Sequence, residues 1–467
     1  MTFWKTTTIY GLGFIALRAI SFLLLPLYTN LLSNTDAGWV FIIYTLLAFL
    51  NVIYTHGMNA ALLKFFHSSN QKEIITTSTV YSAVSSLILS FLLFFLYFIY
   101  TKIQGGENHI IVLYILCIAA LDMLSAKSNI LLRLLERPLY YLSICCVNVV
   151  LSIGLNIYFI KICNMGIMGA INALLLVSII QFLLLCPIIL SFIQINMFNY
   201  QLLTKMLSIG MRFFPAAMFF VLIEMSDRWM LGYFTNIHEV GLYGAGYKIG
   251  GVVLLVVNSF NLNWQPFYLK TKLNNRVPAF EQIGNCFILI MVFFATLLSS
   301  LWPVFFQLNF GSYSLIGETF WEGGKIIPII CISYIFYGLF ILQMPSIFLK
   351  SKQNWAPVIW GSGLLINILT NIALIPIWGM FGAAYATLFA YIVMFVFIAF
   401  KNKNWMPLQY NIKQIFSFIL FSITVYCLAH TLILYNNILY MLGITIIYIG
   451  ISALYIVPAY QQLKINE

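Results

Sequence analysis

Residues 374–388, LIPIWGMFGAAYATL, have a fainter copy at residues 161–175, KICNMGIMGAINALL, 213 positions earlier. Gly379, Gly382, Ala383 and Ala386 fall on Gly166, Gly169, Ala170 and Ala173, and each copy joins one long apolar segment to the next. A segment repeated at that spacing implies two similar membrane lobes. Repeated halves that rock about a site between them are a common way to build a transporter. The chain is therefore expected to carry something across a bilayer.

Composition agrees with a membrane protein. Of 467 residues, 62% are hydrophobic and 7% charged, against roughly 45–50% and 25% in soluble domains. Apolar stretches long enough to cross about 30 Å of hydrocarbon recur about fourteen times. They lie near 9–32, 38–63, 76–100, 110–132, 139–160, 167–193, 208–233, 240–268, 282–308, 326–349, 355–377, 380–400, 412–435 and 437–458. Their length favours helices, since barrel strands alternate over about 10 residues. With the N-terminus inside, seventeen Lys and Arg residues face the cytoplasm and three (Lys102, Lys161, Lys325) the other side. That bias supports both the span count and an orientation with both termini cytoplasmic. The net charge of +11 thus reflects topology and anionic headgroups. Basic residues scattered over many short loops speak against nucleic acid. The first apolar run is too long for a signal-peptide core and lacks an A-x-A-like exit. The eight cysteines lack CxxC spacing and are expected to be small buried thiols, neither a disulfide framework nor a metal site.

The longest connector is expected at 194–207, between spans six and seven, and 404–411 separates a final helix pair. The domains expected are a lobe at 1–195, a second lobe at 196–403 and a C-terminal pair at 404–467. The fold class is an all-α integral membrane protein of about 14 transmembrane helices, two six-helix lobes related by pseudo-symmetry plus that pair. A second repeat agrees: TNLLSNTDAGWV (29–40) follows span one and GYFTNIHEVGLY (232–243) follows span seven. Gly38 and Gly241 align there, with Asp36 and Glu239 two positions earlier.

Four segments carry a family resemblance: LRAISFLLLPLYTNLLSNTDAGWV (17–40), EMSDRWMLGYF with EVGLYGAGYKIG (224–234 and 239–250), FLKSKQNWAPVIWGSGLLINILTNIALIP (348–376) and WGMFGAAYATL (378–388). In that order the chain resembles the multidrug/oligosaccharidyl-lipid/polysaccharide exporter superfamily, on its polysaccharide-transporter branch of Wzx-type oligosaccharide flippases. The resemblance implies a two-lobed helical transporter of the bacterial cytoplasmic membrane, with a central cavity and alternating access. It implies an undecaprenyl-diphosphate-linked oligosaccharide as substrate, destined for O-antigen, capsule or exopolysaccharide. A polysaccharide polymerase would be the downstream partner, membrane lipids the surroundings, and no cofactor is called for.

An ionisable side chain in mid-span costs roughly 2.5–3.5 kcal/mol and usually faces a cavity or a partner. Arg18, about ten residues into span one, would offer a bidentate donor to a lipid diphosphate, or else pair with an acid such as Asp122 or Glu224. Lys248, in span eight one turn beyond Gly244, would supply the second lobe's cation, or else reach for headgroups. Glu224, Asp227 and Arg228 share a helical face, so Glu224 can pair with Arg228. The cluster is either self-neutralising or a coupling site for H⁺ or Na⁺. Pro215 in the same span would let it bend. His56, before Gly57, would sit at the cavity edge and touch substrate, or be a satisfied structural histidine. Tyrosines could bind sugar faces, although an interfacial belt is the simpler expectation.

Two other functions fit less well. A multidrug exporter of the same superfamily should have an acid-lined cavity, whereas Arg18 and Lys248 are isolated bases. A membrane polymerase or ligase should present a large external loop, and the longest here is near 309–325. No P-loop, nucleophile elbow or metal-ligand spacing occurs, so an enzyme is not expected.

Overall fold

The structure is a computed structural model, and it describes residues 16–17, 20–66, 70–104, 109–270, 277–310, 313–434 and 438–465. In hydrocarbon no water satisfies the backbone, so an apolar chain closes its hydrogen bonds within helices. The helices are α1 (Ile20–Leu31), then α2 (Asn34–Thr55), α3 (Met58–Phe65), α4 (Gln71–Gln104), α5 (His109–Leu134), α6 (Pro138–Asn156) and α7 (Gly166–Leu190). There follow α8 (Tyr200–Phe234), α9 (Ile237–Gly250), α10 (Val252–Lys270), α11 (Val277–Gln307), α12 (Ile327–Gln343) and α13 (Pro345–Leu349). Last come α14 (Ala356–Trp378), α15 (Met380–Trp405), α16 (Ile412–Leu434) and α17 (Ile438–Ile465). The one sheet among the described residues is a two-residue ladder, β1 (Asn309–Phe310) with β2 (Tyr313–Ser314).

Eleven of these helices, or helix runs, are long and apolar enough to cross a membrane, and up to 13 if each bent pair is one span. With α1 as the described part of span one, every expected span has its helix. The protein is an all-α, multi-pass membrane protein. Within α8 the axis bends by 41° between Arg212 and Phe214, beside Pro215, whose ring removes a backbone donor and crowds the carbonyl four residues back. Between α9 and α10 the bend is 45°.

The chain forms two compact units, Met1–Met225 and Ser226–Glu467. In the first, α5 packs against α2, α4 and α7 through Ile43, Leu50, Ile118, Met123 and Ile171. In the second, α15 packs on α14 and α12, and the final pair α16 and α17 packs on α11. The link before that pair is tied to α11: Gln409 N donates to Glu281 Oε1 at 2.6 Å and Asn411 N to Asn285 Oδ1 at 2.9 Å. Burial, with the Glu281 carboxylate adding to it, pushes the Tyr410 phenol above its usual range.

Both repeats seen in the sequence are local structures. Ser33 Oγ accepts from Asp36 N at 3.1 Å, and Asn236 Oδ1 accepts from Glu239 N at 2.9 Å. Each acid-x-Gly motif is thus the capped first turn of a helix, with its acid near the positive end of the helix dipole. Gly166 and Gly379 both have positive φ, at 54° and 52°; they let the chain reverse between consecutive spans where a side chain would be strained. A third correspondence escaped the sequence. Glu136 (φ 52°) and Ser351 (φ 53°) each end a helix in the same way. Arg137 N reaches Leu132 O at 2.9 Å, and Lys352 N reaches Ile347 O at 2.8 Å.

Three expectations need correction. The connector at 194–207 is shorter, because α8 already starts at Tyr200. Asn199 makes this possible: its N and Nδ2 bond Thr77 Oγ1 and Glu73 Oε1 at 3.1 and 2.7 Å, and its Oδ1 accepts from Gln201 N at 2.8 Å. Four cysteines, Cys117, Cys146, Cys163 and Cys427, are exposed, whereas Cys145, Cys286 and Cys331 are buried. A lipid-facing helix surface is as apolar as a core, so hydropathy does not separate the two. The tyrosine belt is likewise incomplete, since Tyr28, Tyr54, Tyr243, Tyr268, Tyr334, Tyr391 and Tyr448 are fully buried.

Candidate functional site

The second unit opens with a buried polar cluster. Asp227 is 0% and Arg228 6% exposed, where α8 meets α9 and α12. Arg228 Nη1 lies 3.4 Å from Asp227 Oδ1, and Arg228 N donates to the same oxygen at 2.7 Å. The other oxygen, Oδ2, accepts from the Tyr243 hydroxyl. The guanidinium carbon sits 4.2 Å from the centre of the Tyr247 ring and 5.6 Å from that of Tyr243, cation–π geometry that strengthens when water is excluded. Tyr334 OH donates to Tyr247 OH at 2.7 Å. Tyr243 and Tyr247 reach the pair together because residues four apart share a helix face.

An amide ladder adjoins this cluster on α8's Ser226. Ser226 Oγ donates to Asn367 Oδ1 at 3.2 Å, and Asn371 Nδ2 donates to the same oxygen at 3.0 Å. Asn367 Nδ2 and Asn371 Oδ1 are buried without a hydrogen-bond partner among the described residues. Orphaned atoms of this kind in hydrocarbon mark a place where water or an ion can be held. Among the described residues no group of three or more His, Cys, Asp or Glu side chains could hold a metal.

The first unit has its own polar contacts. Tyr28 OH donates to Asn156 Oδ1 at 2.9 Å and lies 3.0 Å from Tyr44 OH. Asp122 Oδ1 accepts from Ser178 Oγ at 2.7 Å, and Lys127 Nζ, fully buried, donates to Ser78 O at 2.6 Å.

The residues singled out by sequence divide among these places. Arg18 lies outside the described residues. His56 caps the end of α2 at φ 45°, half-buried, with its ring 5.9 Å from Tyr81 and stacked 6.4 Å from Phe214. The next residue, Gly57, packs so closely on Gly210 that a side chain at either position would strike backbone. Glu224 is buried at the end of the first unit, and Asp227 and Arg228 begin the second. Arg228 forms an ion pair with its neighbour Asp227. Lys248 is half-buried on α9, within electrostatic reach of Arg228. Sequence reasoning missed Tyr243, Tyr247, Tyr334, Asn367 and Asn371. A signal existed for two pairs of them: Tyr243 and Tyr247, and Asn367 and Asn371, are spaced by four in otherwise apolar helices.

Comparison with known proteins places this architecture. A family model described as "Polysaccharide biosynthesis protein" matches residues 3–271. An uncharacterized membrane protein of Methanocaldococcus jannaschii is 21% identical over 435 residues, covering 84% of this chain and 82% of that protein. Among solved structures, the inward closed lipid II flippase MurJ superposes with a TM-score of 0.68 at 14% identity, covering 96% of this chain and 99% of that one. An inward-facing multidrug resistance MATE family transporter gives 0.55 at 12% identity, over 85% of this chain and 94% of that one. A Vibrio cholerae MATE transporter gives 0.53 at 16%, over 85% and 97%. These likenesses concern the fold alone.

Proposed function

The chain belongs to the polysaccharide biosynthesis protein family, and from that premise we propose that it translocates an undecaprenyl-diphosphate-linked oligosaccharide across the cytoplasmic membrane by alternating access. The family match carries this reading. The likeness to a lipid II flippase over nearly all of both chains supports it. In this proposal the lobes are 1–195 and 196–403, with 404–467 accessory and both termini cytoplasmic. Arg18, Lys248 and His56 contact the substrate, Arg18 gripping the diphosphate by charge-assisted bonds. Asp227, Glu224 and Arg228 form the coupling site. Asp227 is the side chain whose protonation or cation binding would release Arg228, since a buried guanidinium and carboxylate hold each other in place. The coupling ion is H⁺ or Na⁺, and the exported glycan passes to a polymerase.

The experiment is transfer of a fluorescent lipid-diphosphate oligosaccharide between leaflets of proteoliposomes. Transfer is expected with the wild-type chain and is lost in Arg18→Ala and Asp227→Asn variants that reconstitute equally well. No transfer by the wild-type chain refutes the reading; transfer by Arg18→Ala removes that residue from the grip. The alternative, an ion-coupled multidrug exporter, draws on the MATE likeness. It would show as drug sensitivity of a deletion strain whose surface polysaccharide is normal.

A further inference from the structure

Between Glu322 and Glu467 the sequence contains no acidic residue, yet seven lysines. Four of them, Lys350, Lys352, Lys401 and Lys403, occur at one end of the α14–α15 hairpin. Two rigid devices hold them there. On one side, α13 closes in a left-handed turn at Ser351 (φ 53°), with Lys352 N bonded to Ile347 O at 2.8 Å. On the other, Asn402 lies between Lys401 and Lys403 and is 2% exposed. Its Nδ2 donates to Gln343 Oε1 at 2.6 Å and to Gln343 O at 3.1 Å, which pins the last turn of α15 to the end of α12.

The two sides meet over a pair of half-buried tryptophans. Trp355 and Trp405 have ring centroids 5.9 Å apart. The lysines cross over them: Lys401 Nζ is 4.2 Å from the Trp355 centroid, and Lys352 Nζ is 6.0 Å from that of Trp405. Among the described residues none of the four lysines is in an ion pair. The carboxylate at the following link, Glu281, accepts from Gln409 N instead. Tryptophan is the side chain that favours the level of the glycerol and headgroups, and basic clusters at the ends of spans attract anionic lipid. The corresponding turn of the first unit differs, because Glu136 stands in it between Arg133 and Arg137 and brings a counter-charge of its own.

We propose that this lysine–tryptophan cradle binds the phosphate of an anionic membrane phospholipid, of the phosphatidylglycerol or cardiolipin type. Lys352 and Lys401 donate to the phosphate, Lys350 and Lys403 supply the surrounding positive potential, and the tryptophans pack against the glycerol and upper acyl chains. The site stands independently of the flippase reading, since it needs only a bilayer.

The test uses the full chain, delipidated in detergent, with binding of phosphatidylglycerol and of phosphatidylcholine measured by native mass spectrometry. Phosphatidylglycerol should bind the wild-type chain preferentially. Lys352→Gln/Lys401→Gln should weaken it about 30-fold, at about 1 kcal/mol for each lysine near the surface and 1.4 kcal/mol per decade. Lys64→Gln/Lys205→Gln, two basic residues elsewhere, should change it less than about threefold, as screened charges outside a site do. Lys352→Arg/Lys401→Arg should retain binding, and a melting temperature in phosphatidylcholine micelles checks that each variant is folded. Equal binding of both lipids by the wild-type chain overturns the proposal. So does an equal loss in both glutamine doubles, which would mean diffuse attraction, or loss in the arginine double. Displacement of phosphatidylglycerol by equimolar inorganic pyrophosphate or undecaprenyl diphosphate would assign the cradle to free diphosphate or to transport substrate, and would overturn it too.

Discussion

Replacing Arg228 by Met should damage the protein more than replacing Arg228 and Asp227 together. The single change leaves the Asp227 carboxylate at 0% exposure, accepting from the Tyr243 hydroxyl and one backbone N–H but without its counter-charge. Breaking a buried pair in this way costs about 3–5 kcal/mol in soluble proteins. Polar contacts in membrane proteins run smaller, because the membrane-embedded unfolded state also finds partners, so about 3 kcal/mol is the expected loss. Asp227→Asn/Arg228→Met removes both charges, and the amide oxygen can still accept from Tyr243. What remains lost is the cation–π contact at 4.2 Å to Tyr247, about 1–2 kcal/mol when desolvated. The two positions should therefore couple by at least about 1 kcal/mol, a size that double-mutant cycles resolve for residues in contact. Fluorescence melting in detergent is the assay. At roughly 2–4 °C per kcal/mol, the single variant should melt about 6–12 °C low and the double about half as far below the wild-type chain. If the double variant loses the sum of the two single losses, Asp227 and Arg228 do not neutralise one another, and the account of the cluster fails.

Other expectations are more local. Gly379→Ala should lower stability by about 1–3 kcal/mol, because φ is 52° and the new methyl would strike the Glu239 carboxylate. Gly166→Ala should cost less, since nothing among the described residues lies within 4 Å of its Cβ position; equal melting temperatures would contradict this. Cys163, exposed in the link before α7, should react with a membrane-impermeant maleimide added to whole cells, and Cys331 should not. Labelling of Cys163 only after the membrane is opened would invert the proposed orientation. Lys127→Met should leave melting within about 1 kcal/mol of the wild-type chain, because the change removes a buried charge along with its bond to Ser78. A loss above about 3 kcal/mol would mean that the ammonium has a larger structural role than that one bond.

The spans were legible because the bilayer reduces the problem to length and hydropathy. Each predicted segment from 38–63 onward contains a helix, and the acid-x-Gly motifs proved to be capped first turns. Depth within a span was harder to read. Cys117 and Cys331 occupy equally apolar sequence, yet one faces outward and the other inward, since lipid and protein interior present the same solvent to a thiol. The site was legible in its charges and not in its neutral groups. Asp227 and Arg228 stand out in an apolar helix at once. Tyr334 and Asn367 acquire meaning only when α12 and α14 fold back to bring them to hydroxyl and amide partners.

The repeat that marks the two lobes also shows where they diverge. In the second unit the two repeated motifs touch: Glu239 Oε2 accepts from Met380 N at 3.0 Å, so the acid of one motif caps the helix that follows the glycine of the other. In the first unit Asp36 is half-buried and nothing among the described residues lies within 4 Å of the Cβ position of Gly166, so among those residues the same two motifs show no such clasp. The two units share these turns, because positive φ at Gly166 and Gly379 or at Glu136 and Ser351 is dictated by the reversal itself. The side chains at those turns were free to change. One unit holds a clasp, a buried Asp–Arg pair and an acid-free basic end. Among the described residues the other shows none of these at the matching positions. Chemistry that differs between the two units can therefore be altered without disturbing the turns that both share.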